Sequence, residues 1–300
     1  MHIPSEMLSG AICPLTATIA AAGIGTSIYM LSSGARQIPS PLKFSLTSAA
    51  VFAVQMLNYP IWDGISGHLI GGVFAAAILG APAAVLSMSI VLLLQTLLFA
   101  DGGILMLGAN IVNMALIGTG IGGLARNILA KNGIGAKASI AIAAFVSVEL
   151  AAFSLCIELY SSGKGNAEVF GTLLGIYAIL GIIEAAATIM FLSLVQTNEK
   201  ESTRSKRTIY ALGGIIITAL ALSPLASAFP DAFEWTMKNF SLLPDAPNFT
   251  GAPFADYSVT AISSEILSGL SAAIIGIACT AALTLATGIL LSLCRRGAAQ

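Results

Sequence analysis

The chain is a succession of long apolar runs broken by short clusters of glycine, proline, serine and charge. The runs fall near residues 8–31, 42–58, 68–80, 82–99, 105–125, 138–160, 169–195, 208–228 and 267–293. Most approach or exceed the ~20 residues that a helix needs to cross the hydrocarbon layer. Bounded as they are by turn residues, they predict about nine transmembrane helices and an all-α integral membrane protein. The third and fourth runs meet at "LGAPAA" around Pro82. Merged, they are too long for one span without extreme tilt, so they are read as two.

Composition agrees, with 57% apolar and 9% charged residues and a strongly positive mean hydropathy. Charge then sets an orientation. If sides alternate from helix to helix, all of the thirteen Lys and Arg residues except Lys164 and Lys238 fall on one side. That side is cytoplasmic by the positive-inside rule, which places the chain in the cell (cytoplasmic) membrane. The N-terminus, the loop holding His68 and the acidic segment 229–266 then face outside, and the C-terminus is cytoplasmic. Merging the third and fourth runs would put the later basic loops opposite Arg36 and Lys43. The mixed-charge stretch "NEKESTRSKR", residues 198–207, is the expected cytoplasmic linker between a seven-helix unit, residues 1–197, and a two-helix hairpin, residues 208–300. The outer loop of that hairpin, with its prolines, aromatics and acids, is too polar to lie in lipid. No internal repeat is found.

Several function classes fall away. Net charge is −1 and no Lys/Arg-rich run is present, so nucleic acid is not an expected partner. The four cysteines lie far apart without CxxC spacing and read as small apolar residues. The N-terminus lacks the basic flank of a secretory signal and carries Glu6 where positive charge is wanted, so Met1 and His2 are expected in the mature protein. There is no GxxxxGK[ST] phosphate loop and no HExxH, so neither ATP hydrolysis nor protease chemistry, nor a cofactor, is expected of this chain. "GTGIGG" at residues 118–123 formally fits GxGxxG, but no strand precedes it and no acidic residue follows at the expected distance. In a membrane helix such glycines let neighbouring helices approach closely.

Two carboxylates, Glu149 and Glu184, lie near the middle of the sixth and seventh runs. An ionised carboxylate there costs at least about 2.5 kcal/mol, so each needs a partner or a proton. They are either a proton or ion relay or hydrogen-bonding groups between helices; the lack of an intramembrane Lys or Arg favours the second. The only histidines are His2, in "MHIP", and His68, in "WDGISGHLIGG". A histidine at position two offers its imidazole and its own backbone nitrogen. The Met1 amine completes a fused five- and six-membered chelate, three nitrogens in one plane. An imidazole from His68, on the same outer side, would fill the fourth corner of an all-nitrogen square suited to Ni(II) or Cu(II) rather than tetrahedral zinc. The glycines of "GISGH" let the loop fold tightly around such a site. Proton competition should weaken capture as pH falls through the ordinary histidine range, about 6.5. The alternative reading makes His2 an exposed terminus and His68 a helix-start residue.

Four stretches resemble one known family: "MHIP" at the N-terminus, "GISGHLIGG" at 64–72, "QTLLFADGGILMLGANIVNMALIG" at 95–118 and "GIIEAAAT" at 181–188. Together they are similar to the membrane substrate-capture component of energy-coupling-factor transporters for nickel and cobalt. The resemblance implies that Met1, His2 and His68 hold the metal and that a polar loop with Gln95, Asp101 and Asn110 closes near the site. Which of those three touches a ligand it leaves open. Residues 205–296 resemble the small two-helix accessory component of the same systems, here fused to the capture component. "ASAFPDAFEW" is similar to its Pro-Asp-Gly-Leu-Glu signature, with Ala232 and Phe233 in place of Gly and Leu. Nickel-type relatives carry Pro-Gly-Gly-Thr-Ser-Gly-His where this chain reads "WDGISGH", which leaves the metal open between nickel and cobalt. The expected partners are the bilayer, a membrane coupling subunit and ATPase subunits. The competing function is a proton-coupled secondary metal transporter working through Glu149 and Glu184.

Overall fold

The computed structural model describes residues 1–195, 201–243 and 251–298. In chain order its elements are α1 (Ile12–Ser32), α2 (Pro41–Gln55), a hairpin of β1 (Tyr59–Trp62) and β2 (Ile65–Gly67), α3 (Gly72–Leu79) and α4 (Ala81–Phe99). A long segment, Ile104–Lys131, follows; it contains α5 (Leu107–Asn110), a π-helical stretch (Ile111–Ile121) and α6 (Gly122–Lys131). Then come α7 (Ala136–Ser161), α8 (Ala167–Val195), α9 (Glu201–Leu222), α10 (Ala232–Asn239) and α11 (Glu265–Ala298). The protein is an all-α, multi-pass membrane protein.

All nine apolar runs are helical, but they are unequal. Among the described residues seven helical segments are long and apolar enough to cross a membrane. The second and third runs form shorter helices of 15 and 8 residues. Local chemistry sets those lengths. Pro41 opens α2 behind Ser40, whose side chain accepts the Lys43 amide, and α3 stops at Gly80, φ +80°, just before Pro82 in the first turn of α4. Helix α2 is buried almost continuously from Phe44 to Gln55, with α4, α9 and α11 packed against it. It is an interior helix, and the C-terminal hairpin helices α9 and α11 both lie on it. Because lipid is as apolar as the side chains, such contacts depend on close packing. A Cβ on Gly122 would lie 2.8 Å from the Ser147 Cβ, and one on Gly123 2.5 Å from the Ala76 Cβ. The "GTGIGG" glycines therefore seat α6 against α7 and α3.

Of the linker expected at 198–207, residues 198–200 lie outside the described residues, and from Glu201 onward the chain is already α9. The segment 229–266, expected on the outer side, holds a short helix, α10, and a 3-10 turn at Ala255–Tyr257. The one sheet among the described residues is the antiparallel pair β1–β2, turned through Asp63 and Gly64, where φ is +79°.

Candidate metal centre

The N-terminal segment is drawn into the protein. Met1, Ile3, Met7 and Leu8 are buried. Ile3 N donates to Asn110 Oδ1 at 2.8 Å, and Gly103 N donates to the Ile3 carbonyl at 2.9 Å. These bonds pin residue 3 to the start of the Ile104–Lys131 segment and leave Met1 and His2 projecting into the space beside the β-hairpin.

His68 comes to the same space because it directly follows β2. The stretch after it is clamped on two sides: both Glu184 oxygens on α8 accept backbone amides, from Ile70 and Gly71, each at 2.8 Å, and Gln55 Nε2 on α2 donates to the Ile70 carbonyl at 2.7 Å. Gly71, φ +72°, makes the turn into α3 that a side chain would strain. His68 Nδ1 lies 3.1 Å from the Leu69 carbonyl; donating there, it leaves the Nε2 lone pair facing the Met1 amine, also at 3.1 Å.

The His2 ring stacks on that of His68, with centroids 5.2 Å apart and planes 21° apart. Its Nδ1 lies 3.1 Å from Asp101 Oδ1 and its Nε2 3.2 Å from Gln95 Oε1. Gln95 in turn donates to Gln55 Oε1 at 3.0 Å, and Tyr257 OH donates to Asp101 Oδ2 at 2.7 Å while its ring stacks on Phe99. A carboxylate from the C-terminal hairpin completes the cluster. The Met1 ammonium donates to Asp231 Oδ2 at 2.9 Å, and Asp231 is carried by the hairpin loop. That loop is stitched to β2, with Ser66 N donating to the Pro230 carbonyl at 2.9 Å and Ser66 Oγ to the Phe229 carbonyl at 2.7 Å.

Burial favours the neutral form of both imidazoles. Burial pushes His68 well below the ordinary imidazole value, and the positive N-terminus and His2 push the same way. Burial also lowers His2, against the pull of Asp101. For Asp231 burial raises the value, but the Met1 ammonium and His68 outweigh it and the carboxyl is held low. Glu234, by contrast, is raised to about 7 by burial and by its acidic neighbours Asp231 and Asp101. Proton competition at His68 therefore fades well below the pH range expected from an unperturbed ring. Two nitrogens each about 2 Å from one ion, the usual imidazole–metal distance, are about 2.8 Å apart at a right angle. Met1 N and His68 Nε2 are already near that spacing, at 3.1 Å.

The sequence candidates separate as follows. Met1, His2 and His68 meet; Gln95 and Asp101 contact His2; Asn110 holds Ile3 rather than a histidine. Glu184 is taken up by backbone amides next to His68. Glu149, on α7, lies apart from the group, and its Oε1 has no hydrogen-bond partner among the described residues. Among those residues no three His, Cys, Asp or Glu side chains form a metal-holding group by themselves. Sequence reasoning missed Gln55, Tyr257 and Asp231 as members of the site. The signature-like "FPDAF" was the available signal for Asp231, but it marked a component, not a contact.

Comparison with known proteins bears on what such a site serves. Residues 2–202 match the family model described as the cobalt uptake substrate-specific transmembrane region, and residues 205–293 match the PDGLE domain. A protein of Archaeoglobus fulgidus provisionally named a fused nickel transport protein, NikMN, is 35% identical over 232 residues, 75% of this chain and 76% of its own. The cobalt transport protein CbiM of Thermosediminibacter oceani is 31% identical over 178 residues, 56% of this chain and 72% of its own. The crystal structure of a transition metal transporter superposes with a TM-score of 0.60 at 27% identity, covering 68% of this chain and 97% of that one. These relatives are transport proteins, not enzymes. With a family model matched across residues 2–202, the chain belongs to the cobalt-uptake substrate-specific transmembrane family, and it carries a PDGLE domain on the same polypeptide.

Proposed function

We propose that this protein captures Ni(II), with Co(II) as the runner-up, at an outward-facing site and passes it inward as the substrate-specific part of an ATP-driven energy-coupling-factor importer. The observation that carries this reading is the 3.1 Å approach of the Met1 amine to His68 Nε2 beside the stacked His2 ring, deep in a protein with transport relatives. The donors are the Met1 amine, the His2 amide nitrogen and Nδ1, and His68 Nε2. Gln95 and Asp101 orient the His2 ring, Asn110 holds the segment, and Glu184 fixes the loop that presents His68. On capture one proton of the Met1 ammonium, the His2 amide proton and any proton on His2 Nδ1 are released, and Asp101 stands at hydrogen-bonding distance from that ring nitrogen. The chain has no phosphate loop, so the energy for transfer is assigned to a separate membrane coupling subunit and ATPase subunits. In this reading residues 1–197 form the capture unit and 208–300 the accessory hairpin.

A proton-coupled secondary transporter through Glu149 and Glu184 is disfavoured by the use of both Glu184 oxygens as backbone acceptors. Purified protein offered equimolar nickel and cobalt should bind one ion and retain nickel preferentially. Uptake in cells should require the ATPase partner. Uptake abolished by an uncoupler while ATP is maintained would instead select the secondary transporter.

A further inference from the structure

The hairpin brings a carboxylate to the point where the capture ligands meet. Asp231 Oδ2 is 2.9 Å from the Met1 amine and 4.0 Å from His68 Nε2. Its other oxygen, Oδ1, accepts the Glu234 amide at 2.8 Å and so caps α10. One oxygen thus fixes the residue in its own helix while the other is aimed at two of the donor nitrogens. The backbone on its N-terminal side is held by Ser66, the residue two before His68.

We propose that Asp231 is a fifth donor to the transported ion, supplied across the seam by the fused hairpin; the proposal rests on the capture reading above. The positions of Met1 N, His68 Nε2 and Asp231 Oδ2 permit it. An ion about 2 Å from both Met1 N and His68 Nε2 lies on a circle, and points on that circle run from about 2.0 to about 4.3 Å from Oδ2. The near part of the circle is bonding distance with the α10 cap intact.

Charge favours a role of this kind. In the metal-free protein Asp231 faces an ammonium. When the amine coordinates, it loses its proton and its charge, and a buried carboxylate would be left without a cation. The ion takes the place of the lost charge. A divalent ion held by an amine, two neutral imidazoles and one ionised amide keeps one net positive charge, among residues only 2% (Met1), 7% (His2) and 9% (His68) exposed. Asp231 is the carboxylate beside the amine and His68 and offsets that charge, while Asp101, the more exposed of the two, stands beside His2 Nδ1. Asp231 also lines, together with His2, His68, Asp101, Glu234 and Tyr257, a cavity of about 440 Å³, so the carboxylate and both imidazoles border one space.

The test uses the full-length chain and two substitutions, Asp231→Asn and Asp231→Ser. Both new residues cap helices well, so α10 and its docking are preserved while the anionic donor is removed. Each protein is loaded with one nickel ion and examined by nickel K-edge X-ray absorption and by titration calorimetry. The expected result is a five-donor N/O environment in the unsubstituted chain. Both variants should show the pre-edge feature of a planar four-coordinate ion and at least tenfold weaker binding. The same planar four-nitrogen signature and equal affinity in all three proteins would overturn the fifth donor while leaving the capture reading in place. An unsubstituted chain that takes up neither nickel nor cobalt would overturn both.

Discussion

Placing residues ahead of Met1 probes the site at the one group that no side-chain substitution reaches. A Gly-Ser extension turns the α-amine into an amide: the positive charge disappears, and a single N–H remains where the ammonium serves both Asp231 Oδ2, at 2.9 Å, and His68 Nε2, at 3.1 Å. Breaking a buried ion pair by removing one partner costs about 3–5 kcal/mol. Asp231 keeps 14% side-chain exposure, so the lower end, about 3 kcal/mol, is the appropriate figure, equivalent to roughly a hundredfold in an equilibrium constant. The metal site loses a nitrogen donor in the same step. The extended protein is therefore expected to unfold at lower temperature without metal and, with the amine donor replaced by an amide, to bind nickel much more weakly. Calorimetric titration and metal analysis of the purified protein measure the second effect, and a thermal melt the first. A tag after Gln300 is the control and should change neither. An extended chain that binds one nickel ion with unchanged affinity would refute the amine as a donor and the chelate with it.

Three further outcomes are expected. Glu184→Gln keeps one acceptor but sets an amide NH₂ against a backbone N–H, leaving a buried donor unpaired at a cost of about 1–3 kcal/mol; stability should fall while one ion still binds, and normal binding with strongly reduced uptake would point to a relay. Deleting residues 205–300 removes Asp231 and the strip paired with Ser66 while keeping Met1, His2 and His68, so the remainder should still insert but transport weakly, and full-rate transport would remove the hairpin from the mechanism. Finally, His68 has a folded-state value below its unfolded one, so the unfolded chain takes up protons first as pH falls. The His68 contribution to the stability of the metal-free protein is full above about 6.5, the unperturbed imidazole value, and declines below it, while Glu234, raised to about 7, contributes in the opposite direction. His68→Gln should lessen the loss of melting temperature on acidification, and an unchanged melting-temperature-against-pH curve would show that His68 does not contribute to it.

Hydropathy alone determined that this chain is helical and crosses a membrane, because a span needs only a run of apolar residues and leaves that run in one continuous stretch of sequence. The two histidines were legible as candidate ligands for a similar reason: the fused rings of an N-terminal Met-His chelate are a local property of two residues. The structure decided what hydropathy could not. Helix α2 reads in sequence like any other span, but packing makes it an interior helix beneath α9 and α11. Glu184 reads as a costly intramembrane charge, yet its two oxygens meet the amides of Ile70 and Gly71, 114 and 113 residues away. The Met1 amine meets His68 across 67 residues and Asp231 across 230. Apolar periodicity fixes which segments are helices but carries no term for which helices touch, at what depth, or with which residues opposed. Those follow from close packing of small residues and from the requirement that buried polar groups find partners, and both conditions are met only in the assembled fold.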